Sequence, residues 1–173
     1  SNAYDNAWDV MSKDRYGCPP EDATYGCTGQ HTIAYHKDLL GWIPSARKVA
    51  VPFGGSATVT PERLAQPSTT DTRLVTVSAG PSDGKFFTVE TRRRIGYDTK
   101  VPGDAVVIHE VVPNRSDDRP AHVVDIDGLP TSDGGAMWTV GETFTDPSGV
   151  RISVTGSTAT GYTVQIGGAT TPP

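Results

Sequence analysis

The chain has no long hydrophobic run, no excess of basic residues and only two cysteines. None of its apolar runs approaches the roughly 20 residues that a membrane-spanning helix needs. Its formal net charge is -5, which gives no electrostatic reason to expect nucleic acid or an anionic membrane surface as a partner. The composition therefore predicts a protein without a membrane span and without a nucleic-acid partner.

Catalytic motifs of the common hydrolases are missing as well. A zinc site of the HExxHxxGxxH type needs two histidines one helical turn apart with a glutamate between them. The only His-Glu pair is His109-Glu110, and Pro113 stands where the second histidine belongs. The β-branched residues around this pair predict a strand rather than a helix. No Gly-x-Ser-x-Gly elbow is present either. We therefore expect this chain by itself to be catalytically inactive.

What the chain does have is the composition of a β protein, with 19 Gly, 14 Pro and many Thr and Val. Two segments rich in β-branched and aromatic residues, Phe86 to Arg92 and Ala105 to Val112, predict two long central strands joined by a wide loop. The second is nearly continuous in apolar residues, as expected inside a sheet. Further strands are predicted at Arg47 to Phe53, Ser56 to Thr60, Arg73 to Ala79, Ala121 to Ile126, Thr143 to Thr145, Gly149 to Thr155 and Tyr162 to Ile166. The fold class is therefore mainly β, an antiparallel β-sandwich of about eight strands.

Two local patterns in this region predict a turn and an ion pair. Gly54-Gly55, between two predicted strands, indicates a hairpin. Glu90, close to Arg92, Arg93 and Arg94, is interpreted as part of a cross-strand ion pair on a solvated face. An alternative pairs Glu90 with Glu110 as two catalytic carboxylates across a cleft.

The N-terminal part of the chain differs from the rest, because it contains both cysteines and two of the three tryptophans. Cys18 and Cys27 flank a segment with two prolines and a glycine, which favours a disulfide and hence an oxidising, extracellular compartment. An incomplete zinc site that includes His31 is the alternative. The apolar spacing from His31 to Trp42 predicts an amphipathic helix, capped by Thr28 or Thr32 and stopped by Gly41, that docks against the sandwich edge.

Two pieces of this segment, YDNAWDVMS and HTIAYHKDLLGWI, resemble the stretch that follows the zinc-binding helix in secreted metallopeptidases related to gametolysin and immune inhibitor A, which are metzincins. The later FTVETRRRIGYDTKVPGDAVVIHEV is similar to the strand pair that follows the catalytic domain in those proteins. The resemblance implies that Met11 is the Met-turn methionine beneath the zinc of a parent protein, with Asp9 and Val10 shaping the turn. His31 to Trp42 would be the helix that closes the catalytic domain, and the zinc ligands and general base would lie upstream.

The resemblance also divides the chain. Residues 1–3 are predicted to be an expression scar, residues 4–44 the end of a metallopeptidase catalytic domain, residues 45–168 an accessory β-sandwich and residues 169–173 a tail. The implied partners are the upstream catalytic domain of the same chain and the protein substrate of the parent. The expected location is secreted or extracellular, and zinc would be a cofactor of the parent that this chain does not bind.

Several alternatives stay open at this point. Asp125, Asp127 and Asp133 lie in one short loop and could supply oxygen ligands for a weak calcium site, although Asp and Gly also serve turns for backbone reasons. The sandwich could instead be an extracellular carbohydrate- or surface-binding module, or a structural domain of a surface protein. The tryptophans, at positions 8, 42 and 138, are predicted to be core or junction residues.

Overall fold

The computed structural model of the chain describes residues 7–11, 21–81, 84–116, 119–126 and 134–167. Several predictions concern residues outside these ranges: the expression scar at residues 1–3, Cys18 of the disulfide, Asp127 and Asp133 of the calcium loop, and the tail at residues 169–173. These stay predictions. The division of the chain into domains likewise stays a prediction.

Strands dominate the described part of the chain, which confirms the mainly β prediction. Its one α-helix, α1, spans Ala34–Leu39. The strands are β1 Glu21–Asp22, β2 Gly26–Cys27, β3 Lys48–Val51, β4 Ala57–Val59, β5 Leu74–Ser78, β6 Phe86–Arg92, β7 Ala105–Val111, β8 Ala121–Val123, β9 Thr143–Thr145, β10 Arg151–Ser157 and β11 Tyr162–Gly167.

The strands form a five-stranded sheet in the order β3-β5-β6-β7-β8, a four-stranded sheet in the order β4-β11-β10-β9, and the small ribbon β1-β2. Strands β6 and β7 pair antiparallel along their whole lengths, from Phe86 opposite Val111 to Arg92 opposite Ala105. This confirms the predicted central strand pair. The strands pair antiparallel except β3 and β5, which run parallel.

The predicted hairpin at Gly54-Gly55 is wrong. Val51 at the end of β3 pairs with Val77 in the five-stranded sheet, whereas Ala57 at the start of β4 pairs with Ile166 in the four-stranded sheet. The turn itself is real, because Gly55 N donates to the carbonyl of Pro52 at 2.9 Å. It carries the chain from one sheet to the other, since a local turn signal does not specify which strands pair on either side of it.

The two large sheets pack face to face around one apolar core. The core draws on β5, β6 and β7 from one sheet and on β10 and β11 from the other, with the buried residues Val75, Val77, Phe87, Val89, Val106, Ile108, Ile152, Val154, Val164 and Ile166. Trp138 is 4% exposed and joins this cluster, with its ring centroid 5.7 Å from that of Phe144. The two sheets therefore form a sandwich, and Trp138 is a core residue as predicted.

The second face of the five-stranded sheet is also buried, beneath the N-terminal segment. Trp8 and Ile33 pack there against Val107, Val111 and other residues of the sheet. Strand β7 is therefore covered on both sides, which explains its nearly continuous apolar sequence. The confirmed burial of Trp8 follows from the same contact.

Helix α1 is shorter than predicted and packs on this face of the sheet rather than at its edge. Ile33 occupies the N-cap position without a side-chain cap, so the predicted cap by Thr28 or Thr32 is wrong. The end of the helix is as predicted: Gly41 has φ +72°, and Trp42 N donates to the carbonyl of Lys37 at 2.8 Å. This arrangement is a Schellman motif, which favours glycine at that position.

Close contact between two backbone segments gives a first testable prediction, at Gly161. A methyl group there would collide with the backbone of Pro61 and Glu62, whereas one at Gly156 would make an ordinary contact, 3.6 Å from Thr163. We expect Gly161→Ala to lower the free energy of unfolding by about 1–3 kcal/mol. Urea denaturation measures this, and Gly156→Ala is the matched control. Equal stabilities of the two variants would contradict this account of the packing.

Candidate functional site

The centre of the candidate site is the guanidinium of Arg92, which is fully buried on the face of the sheet that the N-terminal segment covers. Its Nε and Nη2 donate to the two carboxylate oxygens of Asp98, at 3.0 and 2.8 Å. Nη1 donates to Glu90 at 3.1 Å and to the carbonyl of Trp8 at 2.6 Å. Nη2 also donates to the carbonyl of His31 at 3.1 Å. These five hydrogen bonds match the five donors of a guanidinium, and two of them fix the backbone of the N-terminal segment.

The prediction that Glu90 and the arginines lie on a solvated face is wrong for Glu90 and Arg92, which are both fully buried. Strand alternation assigns them to one face, but it does not show that another segment covers that face. The catalytic alternative with Glu110 is not supported either. Glu110 lies opposite Phe87 and Glu90 opposite Val107, so the two carboxylates point to opposite faces of the sheet.

Glu90 extends the contact to the helix. Its Oε2 accepts a hydrogen bond from the backbone N–H of Ala34, the first residue of α1, at 2.5 Å. Burial raises the pKa of Glu90, and the nearby Arg92 only partly offsets this effect. Burial disfavours the charge of Arg92, yet Asp98 and Glu90 outweigh it and raise the pKa of the guanidinium. Arg92 therefore keeps its positive charge in the folded protein, and we call Glu90, Arg92 and Asp98 the buried ion network.

Asp9 holds the turn that the resemblance identifies as the Met-turn. Its Oδ1 accepts hydrogen bonds from Met11 N at 3.1 Å and from the hydroxyl of Thr32 at 2.8 Å. Its Oδ2 lies 2.8 Å from Nδ1 of His36. Burial raises the pKa of Asp9, but the hydrogen bonds from His36, Met11 and Thr32 outweigh it and lower the pKa. Asp9 is therefore an ionised, buried acceptor that fixes the turn against helix α1.

The side chains beyond this turn point outward. Five apolar residues that are 43–67% exposed lie on the turn and around the end of α1: Val10, Met11, Leu39, Leu40 and Trp42. Together they line a cavity of about 450 Å³ whose polar lining includes Thr32 and His36. We call these five residues the exposed apolar surface. Trp42 is not a core residue, in contrast to the two other tryptophans.

His109 lies beneath the same region, on β7, and sequence reasoning singled it out only as a strand residue. That strand assignment is confirmed. Its imidazole is fully buried, and desolvation lowers its pKa to about 3, with nearby Asp9 acting in the opposite direction. His109 is therefore neutral at physiological pH in the folded protein.

Metal ligands do not assemble in the described residues. Within them, no three side chains of His, Cys, Asp or Glu come together in a way that suits a metal ion. Asp125 is the one member of the predicted calcium set in these ranges. Cys27 is described but Cys18 is not, so the disulfide and the alternative zinc site stay predictions.

Comparison with family models, curated proteins and solved structures finds no match to this chain. In the ranges that the structure describes, no helix has the length and apolar character to cross a bilayer.

Proposed function

We propose that this chain is the C-terminal portion of a secreted zinc metallopeptidase of the metzincin type. In this proposal the zinc ligands and the general base belong to the upstream part of the parent protein. The chain supplies the Met-turn, the closing helix and an accessory β-sandwich, and it is inactive by itself. The disulfide between Cys18 and Cys27 belongs to the same proposal and agrees with secretion.

One observation carries this proposal. The carboxylate of Asp9 holds the turn by accepting hydrogen bonds from Met11 N and from the hydroxyl of Thr32. The side chains of Val10 and Met11 on the outer side of the turn belong to the exposed apolar surface. A contiguous apolar surface of this kind is typical of a contact with another structure. The upstream part of the catalytic domain is the occupant that we propose, because the resemblance places the residues of the surface at the floor and at the closing helix of that domain.

The buried ion network gives the sandwich a role in this proposal. Arg92 and Glu90 on β6 bind the N-terminal segment at the carbonyls of Trp8 and His31 and at the amide of Ala34. The sandwich would therefore hold the turn and the helix in position. The alternative of a carbohydrate-binding module loses one of its candidate residues, because the buried Trp138 cannot serve as an exposed aromatic platform.

The full-length gene product provides the test. We expect an HExxHxxGxxH motif upstream of Tyr4, peptidase activity that a zinc chelator abolishes and zinc restores, and no activity from the 173-residue chain. The absence of that motif, or stoichiometric zinc bound by the isolated chain, would contradict the proposal.

Variants of the exposed apolar surface form the second arm of this test. The double variant Leu40→Ser and Trp42→Ser should shorten the half-life of peptidase activity in the full-length protein and leave the unfolding of the isolated chain within about 1 kcal/mol of wild type. Phe53→Ser is the matched control, because Phe53 is also an exposed aromatic but lies at the corner between the sheets. Equal activity half-lives of the double variant and the control would count against a catalytic domain at this surface.

A further inference from the structure

A second cavity, of about 550 Å³, shares His31 with the cavity at the exposed apolar surface. Its volume lies within the range of small-molecule sites. Lys37 of α1 and Arg73, which immediately precedes β5, bring two cationic side chains to its wall, and none of the described residues that line it is acidic. The chain has a net charge of -5, and the one carboxylate that pairs with these two cations in the described residues is the buried Glu62, 3.7 Å from Nε of Arg73.

The ammonium group of Lys37 contacts two uncharged rings, that of His31 and that of Trp42, whose centroid lies 5.8 Å from Nζ. Its Nζ lies 3.0 Å from Nδ1 of His31. Desolvation lowers the pKa of His31, so its imidazole is neutral at neutral pH and accepts the hydrogen bond from Lys37. Desolvation also lowers the pKa of Lys37. An ammonium group has three donors, and no carboxylate of the described residues is within ion-pair distance of Nζ. Lys37 therefore has donors to offer to a ligand.

Arg73 differs from Lys37, because its guanidinium forms an ion pair with the buried carboxylate of Glu62. Its Nε lies 3.7 Å from Oε1 of Glu62, which is too long for a hydrogen bond, and this buried Nε has no hydrogen-bond partner. The other oxygen of Glu62 already accepts hydrogen bonds from the backbone N–H groups of Ser68 and Thr69, each at 3.0 Å. Nη1 and Nη2 of Arg73 make no hydrogen bond to the described residues, so an anionic acceptor in the cavity would find donors on these two groups and on Nζ of Lys37.

The rim of the cavity contains an unusual backbone conformation. Gln66 has φ 45°, and it is the only non-glycine residue with positive φ in the described part of the chain. Gly96, at φ +58°, faces it, and a Cβ there would lie 3.1 Å from both Cγ and Nε2 of Gln66. Strained backbone conformations are concentrated at functional sites. The side chain of Gln66 lines the same cavity as Lys37 and Arg73.

We propose that this cavity binds the carboxylate of a small organic anion that also carries an apolar group. Lys37 and Arg73 would donate to the carboxylate, and the carboxamide of Gln66 would be a third donor. The apolar group would lie against Pro67 and the ring of Tyr97, which line the same cavity. The free carboxy terminus of a peptide and a free organic acid both have this chemistry, and the inference does not depend on the peptidase proposal.

Isothermal titration calorimetry of the whole chain with N-acetyl-leucine, at neutral pH and low salt, tests the inference. We expect saturable binding with a Kd of about 1 mM or tighter. N-acetyl-leucinamide, which has the same apolar group without the charge, should not bind. The tripeptide Ala-Ala-Leu with a free carboxy terminus distinguishes the two sources: tighter binding than N-acetyl-leucine points to peptide termini, and equal binding points to small acids.

Lys37→Met and Arg73→Met should each weaken the binding of N-acetyl-leucine by about tenfold or more. Arg151→Met is the matched control, because Arg151 is an exposed cation on β10 of the other sheet, and it should bind as wild type does. Circular dichroism verifies that each variant is folded. Equal binding of the acid and the amide, no saturable binding of either free acid, or wild-type affinity in whichever of the two cavity variants folds would overturn the inference.

Discussion

Replacing Arg92 with Met is expected to lower the free energy of unfolding by about 3–5 kcal/mol, which is a large part of the stability of a domain of this size. The physical reason is the loss of five buried hydrogen bonds from one guanidinium. Asp98 and Glu90 would keep their buried positions without the cation that neutralises them, and the carbonyls of Trp8 and His31 would lose their donor. Chemical denaturation followed by circular dichroism at pH 7 measures the change.

Arg94 provides the matched control two positions along the chain. Its side chain is exposed and donates to the carbonyl of Val101 at 3.0 Å, so Arg94→Met should cost no more than about 1 kcal/mol. Arg92→Lys keeps the positive charge but loses the planar guanidinium and its five donors. We expect its free energy of unfolding to lie between those of Arg92→Met and wild type. If Arg92→Met unfolded at the same denaturant concentration as Arg94→Met, the buried ion network would not be what fixes the N-terminal segment to the sheet.

The second large effect concerns pH and originates at His109. Its pKa is about 3 in the folded protein and 6.5 in an unperturbed histidine. Below pH 6.5 the unfolded chain therefore binds a proton that the folded chain does not. The free energy of unfolding should consequently fall as the pH decreases from 6.5 towards 3, at a rate that approaches about 1.4 kcal/mol per pH unit.

Denaturation curves at pH 7, 6 and 5 measure this effect above the range in which carboxyl groups such as Asp9, whose pKa is lowered, lose their contribution. The raised pKa of Glu90 acts with the opposite sign, so the effect of His109 is taken from the difference between wild type and a His109 variant. His109→Gln should reduce the slope between pH 6.5 and 5 by up to about 1.4 kcal/mol per unit. The lowered pKa of His31 acts with the same sign in both proteins, so the difference between them reports His109. Thr88→Val, at the position opposite His109, controls for packing and should keep the wild-type slope. Identical slopes in His109→Gln and wild type would show that His109 is not held neutral by the fold.

Some features of this protein follow from the sequence alone. The alternation of Phe87 and Val89 against Phe86 and Thr88 assigns the two faces of β6 correctly, because side-chain direction in a strand is a local property. Gly41 ends the helix for a local reason too, since the left-handed conformation it adopts favours glycine. The resemblance implies a role for Asp9 at the turn, whereas its partners Thr32 and His36 are evident only in the structure.

Only the tertiary structure decided what covers the second face of the sheet. Glu90 and Arg92 have the sequence pattern of a solvated ion pair, and no local rule distinguishes that case from a buried one. The carbonyl that Arg92 binds on Trp8 belongs to a residue 84 positions away in the chain. Whether a charge is solvated depends on which distant segment excludes water from it, and so the periodicity that determines the strands cannot determine the site.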